Sequence, residues 1–333
     1  MHFNEILPCL QAALTARSDL LAPPHEYPLR LFAGFYEGCP QLVADVYGKT
    51  LLLFNYADPP ESGADILQGA LNFYRSALPW LESAVVKPRN AAAPQVRRGQ
   101  VLFGVKPQRK VRENGVWYAL DLLLNQDASF YLDTRGLRTW LQTHSAGKAV
   151  LNTFAYTGSL GVAALAGGAQ RVVQLDLNRA YLNLAKTSCA CNGLPVVKGD
   201  YLYGDFFALA SRLRRAKAAF DIAILDPPIF TQTQAGTVDL YHQAQNAINK
   251  IRPLVNDDGY LVTINNALFL PGADYIRLLE NLCADGFLAI EALIPAPDDI
   301  TGYPSTRQAD PPAAPAPFNH PTKIAVLRVK KRA

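Results

Sequence analysis

The chain has 333 residues, half of them hydrophobic and 18% charged, with a formal net charge of +4. These proportions exclude a disordered or low-complexity chain and leave room for two domains. Its five cysteines, an odd number, form no C-x-x-C pair, so neither a disulfide framework nor a zinc site is indicated. No apolar run free of charge and proline is long enough to cross a bilayer, and the N-terminus has no basic-then-apolar leader, so a cytoplasmic location is expected.

In chain order, residues 1–28 read as a helical segment, with Leu7, Leu10, Leu14 and Leu20-Leu21 near helical spacing and a stop at Pro23-Pro24. Residues 29–136 read as a small α+β domain. Short strands at Arg30–Phe32, Gln41–Tyr47 and Thr50–Phe54 are expected, the last two joined by a hairpin turn at Tyr47-Gly48-Lys49. A helix over Ile66–Leu81 and strands over Ala84–Arg89 and Gln100–Val105 complete it. Between Lys87 and Arg112 lie eight cations and no acid: Lys87, Arg89, Arg97, Arg98, Lys106, Arg109, Lys110 and Arg112. Such a run either neutralises phosphates, with salt-dependent binding, or forms a solvated basic face.

Residues 137–333 read as a large α/β domain. Apolar strands at Ala149–Asn152, Arg171–Asp176 and Phe220–Leu225 are separated by helix-length segments, the pattern of a buried parallel sheet with crossover helices. A proline-rich excursion from Pro295 to Pro317 precedes a last strand, Lys323–Val329, expected to complete the sheet edge in antiparallel sense. Sheets of this kind bind ligands beyond the carboxyl ends of their strands.

At those ends lie the candidate site residues. Asn152-Thr153-Phe154-Ala155-Tyr156-Thr157-Gly158 forms a strand-to-helix loop in which Gly158 can take a positive φ and Gly161 lets the helix pack closely. Asp176 ends the second strand, where a carboxylate can accept from both hydroxyls of a ribose; the same residue type also caps helices. Leu177 follows it as a further candidate contact. Asp205 is placed to meet an adenine amino group, with Phe206 flanking the ring, while Asp200 competes for the role. Asp226-Pro227-Pro228-Ile229-Phe230 is the most specific element. Two prolines fix an extended turn whose carbonyls can accept from an exocyclic amino group, and Phe230 offers a stacking face. A nicotinamide dinucleotide enzyme would use similar acids, but the G-x-G-x-x-G pyrophosphate glycines are absent.

These segments, together with Ser129-Phe130-Tyr131-Leu132-Asp133-Thr134-Arg135, resemble the class I S-adenosylmethionine-dependent methyltransferases of large-subunit ribosomal RNA that carry an α+β domain before a Rossmann-like catalytic domain. The resemblance implies a seven-stranded sheet and S-adenosylmethionine as cofactor. It implies that Tyr131, Asp133 and Arg135 help to close the cofactor pocket, with Asn152, Phe154, Tyr156, Thr157, Gly158, Asp176, Leu177, Asp205, Phe206 and Asp226 along it. Asp226, Pro227, Pro228, Phe230 and Asn265 are the candidate catalytic residues.

Two departures bear on the acceptor. The cytosine-C5 branch of the family carries a cysteine after the strand that follows Asp-Pro-Pro, whereas this chain has Leu261-Val262-Thr263-Ile264-Asn265-Asn266. Cytosine C5 is a poor nucleophile until a thiolate adds to the ring, so that chemistry is not expected. The Asn-Asn pair resembles the guanine-N7 branch, although either Asn can instead satisfy a strand end. The RNA-binding PUA module of some relatives is also not expected in residues 1–28. The expectation is methyl transfer to a nitrogen of a guanine in large-subunit ribosomal RNA; the alternatives are a protein or small-molecule methyltransferase, or a non-catalytic RNA-binding factor. Cys283 is expected in the core, and His242 and His320 as ordinary surface or loop residues.

Overall fold

The computed structural model describes residues 1–228, 230–233, 236–239, 244–268, 270–309 and 318–331, without the side chains of 230–239. It divides into two compact units, Met1–Asp133 with Pro297–Pro311, and Thr134–Ala296 with Pro312–Ala333. The first boundary falls three residues before the expected one. Residues Pro297–Pro311, expected in the large domain, group instead with the small one.

The first unit runs α1 (Phe3–Ala16), β1 (Pro28–Phe32), β2 (Leu42–Tyr47), β3 (Thr50–Asn55), α2 (Ala64–Ala77), β4 (Ser83–Pro88), α3 (Pro94–Arg97), β5 (Gln100–Phe103), β6 (Lys110–Glu113) and β7 (Val116–Ala119). Strands β1 to β5 form one sheet in sequence order, with β3 and β4 parallel and the helix α2 as their crossover. Leu10, Leu31, Leu51, Leu53 and Tyr74 fill the core beneath it. The β6–β7 hairpin was not expected. It turns on Asn114 and Gly115, at φ 49° and 81°.

The second unit runs α4 (Arg135–His144), β8 (Ala149–Thr153), α5 (Ser159–Ala166), β9 (Arg171–Asp176), α6 (Arg179–Cys191), β10 (Tyr201–Tyr203), α7 (Phe206–Arg215), β11 (Phe220–Leu225), β12 (Phe230–Thr233), β13 (Gly236–Asp239), α8 (Ala244–Ile251), β14 (Val255–Asn265), α9 (Gly272–Cys283) and β15 (Leu288–Ile294). The short α10 (Asp298–Thr301) belongs to the first unit, and β16 (Lys323–Val329) returns to the second. The seven-stranded sheet has the order β10-β9-β8-β11-β14-β16-β15. Strands β10, β9, β8, β11 and β14 are parallel, and β16 is antiparallel to both of its neighbours. The last strand therefore lies inside the sheet, not at its edge as expected; β15 takes the edge.

The inner strands are apolar because both faces are covered. Leu151, Val173, Ala223, Leu261 and Leu327 are at most 1% exposed, and burying side chains of the Val or Leu size contributes about 1.5–3 kcal/mol each. Helix α5 is buried from Leu160 to Leu165, which explains its apolar composition all round. The order reverses between β8 and β11, where Thr153 Oγ1 donates to Ile224 O at 2.7 Å. A crevice at the carboxyl ends of the strands is expected at such a reversal.

Candidate active site

Strand β8 ends in a loop that alternates into the left-handed region: Phe154, Tyr156 and Gly158 have φ of 52°, 51° and 77°. Two of the three are not glycine, a conformation uncommon enough to require external support. The support comes from β9. Asp176 Oδ2 accepts from Tyr156 N at 2.7 Å and its Oδ1 accepts from Asn178 N at 2.8 Å. Helix α6 is capped by Asn178, whose Oδ1 accepts from Ala180 N at 2.9 Å, so Asp176 does not serve as its N-cap.

A carboxylate with two oxygens has more acceptor positions than two backbone N–H groups fill, so Asp176 can still accept from a pair of hydroxyls. Burial pushes its carboxyl pKa up, and the backbone N–H groups that it accepts oppose that. Beside it Leu177 is 47% exposed and presents apolar surface. Gly158 is required twice over. Besides its φ, a Cβ there would lie 2.3 Å from Ala185 Cβ and 2.6 Å from Gln174 Oε1. Asn152 is buried beneath the loop and donates to Gln174 Oε1 at 3.3 Å. Thr157 is buried as well.

Asp200 and Asp205 sit at opposite ends of β10. Asp200 precedes β10, at the far end from the strand tips, and is held by Arg171 at 2.6 Å. Asp205 follows the tip of β10 and caps α7, its Oδ1 accepting from Ala208 N at 2.9 Å. Phe206 does not present the open ring face expected of it. It is 2% exposed and stacks on Phe154 with ring centroids 4.6 Å apart, so it supports the loop from the core.

Asp226, Pro227 and Pro228 follow β11, with Pro228 exposed. Leu225, Pro227, Pro228, Thr263, Asn265 and Tyr275 share one pocket. Tyr275 is buried and donates to Thr263 Oγ1 at 3.1 Å; burial pushes its pKa up, and the Asp226 charge adds to the shift. Asn265 Oδ1 accepts from Ala267 N at 3.0 Å, closing the turn after β14, and among the described residues its Nδ2 has no partner. One of the two expected roles of Asn265 is thus visible in its oxygen. The backbone of Phe230 opens β12, but its ring, like all of Ile229 and His242, lies outside the described residues.

Tyr131 and Asp133 fall in the first unit and Arg135 in the first turn of α4 in the second. Tyr131 is 41% exposed and donates to Asp127 Oδ2 at 3.2 Å. In the basic segment, Lys87 is buried and donates to Arg98 O and Asn125 O at 2.6 and 2.7 Å, which corrects its expected place among phosphate-facing cations. Arg89 pairs with Asp127 at 2.9 Å. Arg98, Lys106, Arg109, Lys110 and Arg112 are exposed, and Arg97 is half-buried. Cys283 is half-buried, and His320 Nδ1 accepts from Thr322 N at 3.1 Å. Sequence reasoning did not single out Thr263 and Tyr275 as lining this pocket, nor the burial of Lys323, a lone charge opening an apolar strand. Among the described residues no cluster of His, Cys, Asp or Glu suits a metal ion, and no helix is long and apolar enough to cross a membrane.

A glycine turn after β8, an acid at the tip of β9 that can grip a ribose and a second acid after β10 fit S-adenosylmethionine, and similarity to known proteins agrees. Residues 30–297 match the family described as S-adenosylmethionine-dependent methyltransferase. A "Ribosomal RNA large subunit methyltransferase I" of Photobacterium profundum is 31% identical over 284 residues, covering 85% of this chain and 71% of that protein. Its namesake from Aeromonas salmonicida is 31% identical over 228 residues, covering 68% of this chain and 57% of that one. Among solved structures, one described as "a putative methyltransferase complexed with SAH" superposes with a TM-score of 0.83 at 20% identity, over 99% of this chain and 82% of the other. Another, described as "A putative sam-dependent methyltransferase from Streptococcus mutans", does so at 0.81 and 21% identity, over the same shares. The fold, the cofactor and the enzymatic class are thereby established: the chain belongs to the class I S-adenosylmethionine-dependent methyltransferases, in the family of the large-subunit ribosomal RNA enzymes.

Proposed function

We propose that this enzyme methylates a nitrogen of a guanine in large-subunit ribosomal RNA by direct transfer. The observation that carries the reading is the tip of β14, where Asn265 and Asn266 line the pocket of Pro227 and Pro228 and no cysteine is present in Leu261–Asn266. A covalent route through cytosine C5 needs a thiolate at the base. A ring or exocyclic nitrogen already has a lone pair and needs only placement.

Bound S-adenosylmethionine supplies a methyl group activated by its sulfonium. The chain does the positioning. Asp176 holds the ribose hydroxyls and Leu177 covers apolar cofactor surface, while Asp205 accepts from the adenine amino group. Tyr131, Asp133 and Arg135 close over the cofactor, as the resemblance of Tyr131–Arg135 implies. The carbonyls of Asp226, Pro227 and Pro228 accept from the exocyclic amino group of a flipped base, and the Asn265 Nδ2 donates to an acceptor on its edge. The exposed cations between Arg97 and Arg112 hold RNA backbone, and an unstacked base suits RNA loops and bulges.

The test is to incubate unmodified large-subunit ribosomal RNA transcript with the enzyme and methyl-labelled S-adenosylmethionine, then to digest and identify the labelled nucleoside by mass spectrometry. An N-methylguanosine is expected. Label in 5-methylcytidine overturns the direct-transfer reading, and label found only in protein or small molecules of an extract overturns the RNA substrate.

A further inference from the structure

Lys323 is fully buried at the start of β16, directly opposite Asn265 in the antiparallel register with β14. The four residues after it, Ile324 to Leu327, are all buried and apolar, so an aliphatic side chain would be the ordinary occupant. Burial alone lowers its pKa to about 8, and no carboxylate contributes. Lysine in such a place is costly unless its donors are used. They are used on the backbone: Nζ donates to Ala267 O at 3.0 Å and also to Pro321 O.

The first of these bonds lands on the turn that shapes the acceptor pocket. Ala267 is gripped at both ends of its peptide groups, its N–H by Asn265 Oδ1 at 3.0 Å and its carbonyl by the ammonium. Asn265, Asn266 and Ala267 line the pocket with Pro227 and Pro228. The second bond ties the chain entering β16 to the same nitrogen. One buried cation therefore joins the exit of β14 to the entry of β16.

We propose that Lys323 is a positioning residue for methyl transfer, clamping the Asn265–Ala267 turn so that the two asparagines meet the acceptor base in one fixed geometry. The inference rests on the reading of that turn as the acceptor side. Lys323 does not touch the cofactor or the reacting nitrogen; it acts through Asn265. Loss of the clamp therefore lowers kcat and leaves cofactor affinity alone.

The experiment compares wild type, Lys323→Met, Asn265→Ala and the double variant. It measures S-adenosylhomocysteine affinity by calorimetry and kcat and KM on unmodified large-subunit ribosomal RNA transcript. It also follows hydrogen exchange of peptides covering 263–268. Lys323→Met is expected to bind S-adenosylhomocysteine as wild type does, to lose about tenfold or more in kcat, and to exchange faster in 263–268. In the Asn265→Ala background it is expected to cost less than about threefold more, because coupled residues are not additive. A kcat within twofold of wild type, or a full multiplicative loss in the double variant, overturns the proposal. So does a parallel loss of cofactor affinity, which marks a general structural role. If the wild type methylates no ribosomal RNA, the acceptor reading has failed, and hydrogen exchange alone decides the clamp: unchanged exchange in 263–268 overturns it. Should Lys323→Met fail to fold, Lys323→Gln, which keeps a donor without the charge, is read by the same measures.

Discussion

Asp176 Oδ2 accepts the backbone N–H of Tyr156 at 2.7 Å, so the acid at the tip of β9 holds the loop at the tip of β8. Under the proposed function, the same carboxylate would also hold the cofactor ribose. Asp176→Ala removes both, and about 1.5 kcal/mol for each of two charge-assisted bonds implies roughly a 100-fold rise in the Kd for S-adenosylmethionine. Titration calorimetry measures it. Asp226→Ala is expected to leave that affinity largely intact, in keeping with a place toward the acceptor.

Gly158→Ala meets two penalties, a left-handed φ of 77° and a Cβ only 2.3 Å from Ala185 Cβ. Gly193, at φ 63° with nothing within 4 Å, meets only the first. The conformational penalty is about 1 kcal/mol and forced overpacking adds roughly 1–3 kcal/mol. Thermal unfolding should show Gly158→Ala well below Gly193→Ala, and both below wild type.

Arg17 and Glu37 form a fully buried pair, Nη1 to Oε1 at 2.9 Å and Nη2 to Oε2 at 3.0 Å. Removing one partner of such a pair leaves the other charge uncompensated, at a cost of about 3–5 kcal/mol. Arg17→Met and Glu37→Gln are each expected to lower stability by that order in urea unfolding.

Burial lowers the pKa of Lys87 to about 8 from its ordinary 10.5. Between those values the unfolded chain holds the proton and the folded one does not, so the group's contribution to stability rises with pH across that window and is least favourable below it. Denaturant unfolding of wild type and Lys87→Met from pH 7 to pH 10.5 should show the difference moving in favour of wild type. The change should reach about 2 kcal/mol after allowance for solvent access.

Charge reversal of Arg97, Arg98, Arg109 and Lys110 is expected to weaken RNA binding and to flatten its salt dependence by about 3 in the log–log slope for a single-stranded ligand. Filter binding at several salt concentrations gives the slope. Methyl transfer to RNA should fall with affinity, while S-adenosylhomocysteine binding stays unchanged.

The central strands were legible because strands buried on both faces must be apolar. β8, β9 and β11 announce themselves as runs bounded by glycine, aspartate or proline. The place of β16 was not legible: its apolar run specifies a strand, while its insertion between β14 and β15 depends on partners far away in sequence. The β6–β7 hairpin was missed although Asn114-Gly115 is a strong turn signal, because Lys110 and Arg112 masked a strand with only alternate residues buried. The motif residues fall at the strand tips of the sheet, where the sequence pattern put them. Phe206 was misjudged because spacing cannot tell a ring that faces a ligand from one that supports a loop. Lys87 and Lys323 were misjudged or missed because charge was taken to mean exposure.

The segment after Pro297 has a consequence for how the chain is made. Arg17 Nη2 donates to Asp299 O at 2.9 Å, Arg30 N to Asp299 Oδ2 at 3.1 Å, and Thr306 Oγ1 to Glu37 Oε1. The ribosome delivers α1 and β1 near the start and these partners almost three hundred residues later. During synthesis the first unit therefore waits with its buried arginine and glutamate incompletely satisfied, and the second must fold around a chain that leaves it and comes back. No single cut releases either unit whole: a fragment ending at Asp133 lacks the acceptors that Asp299 supplies, and one beginning at Thr134 carries a piece of its neighbour.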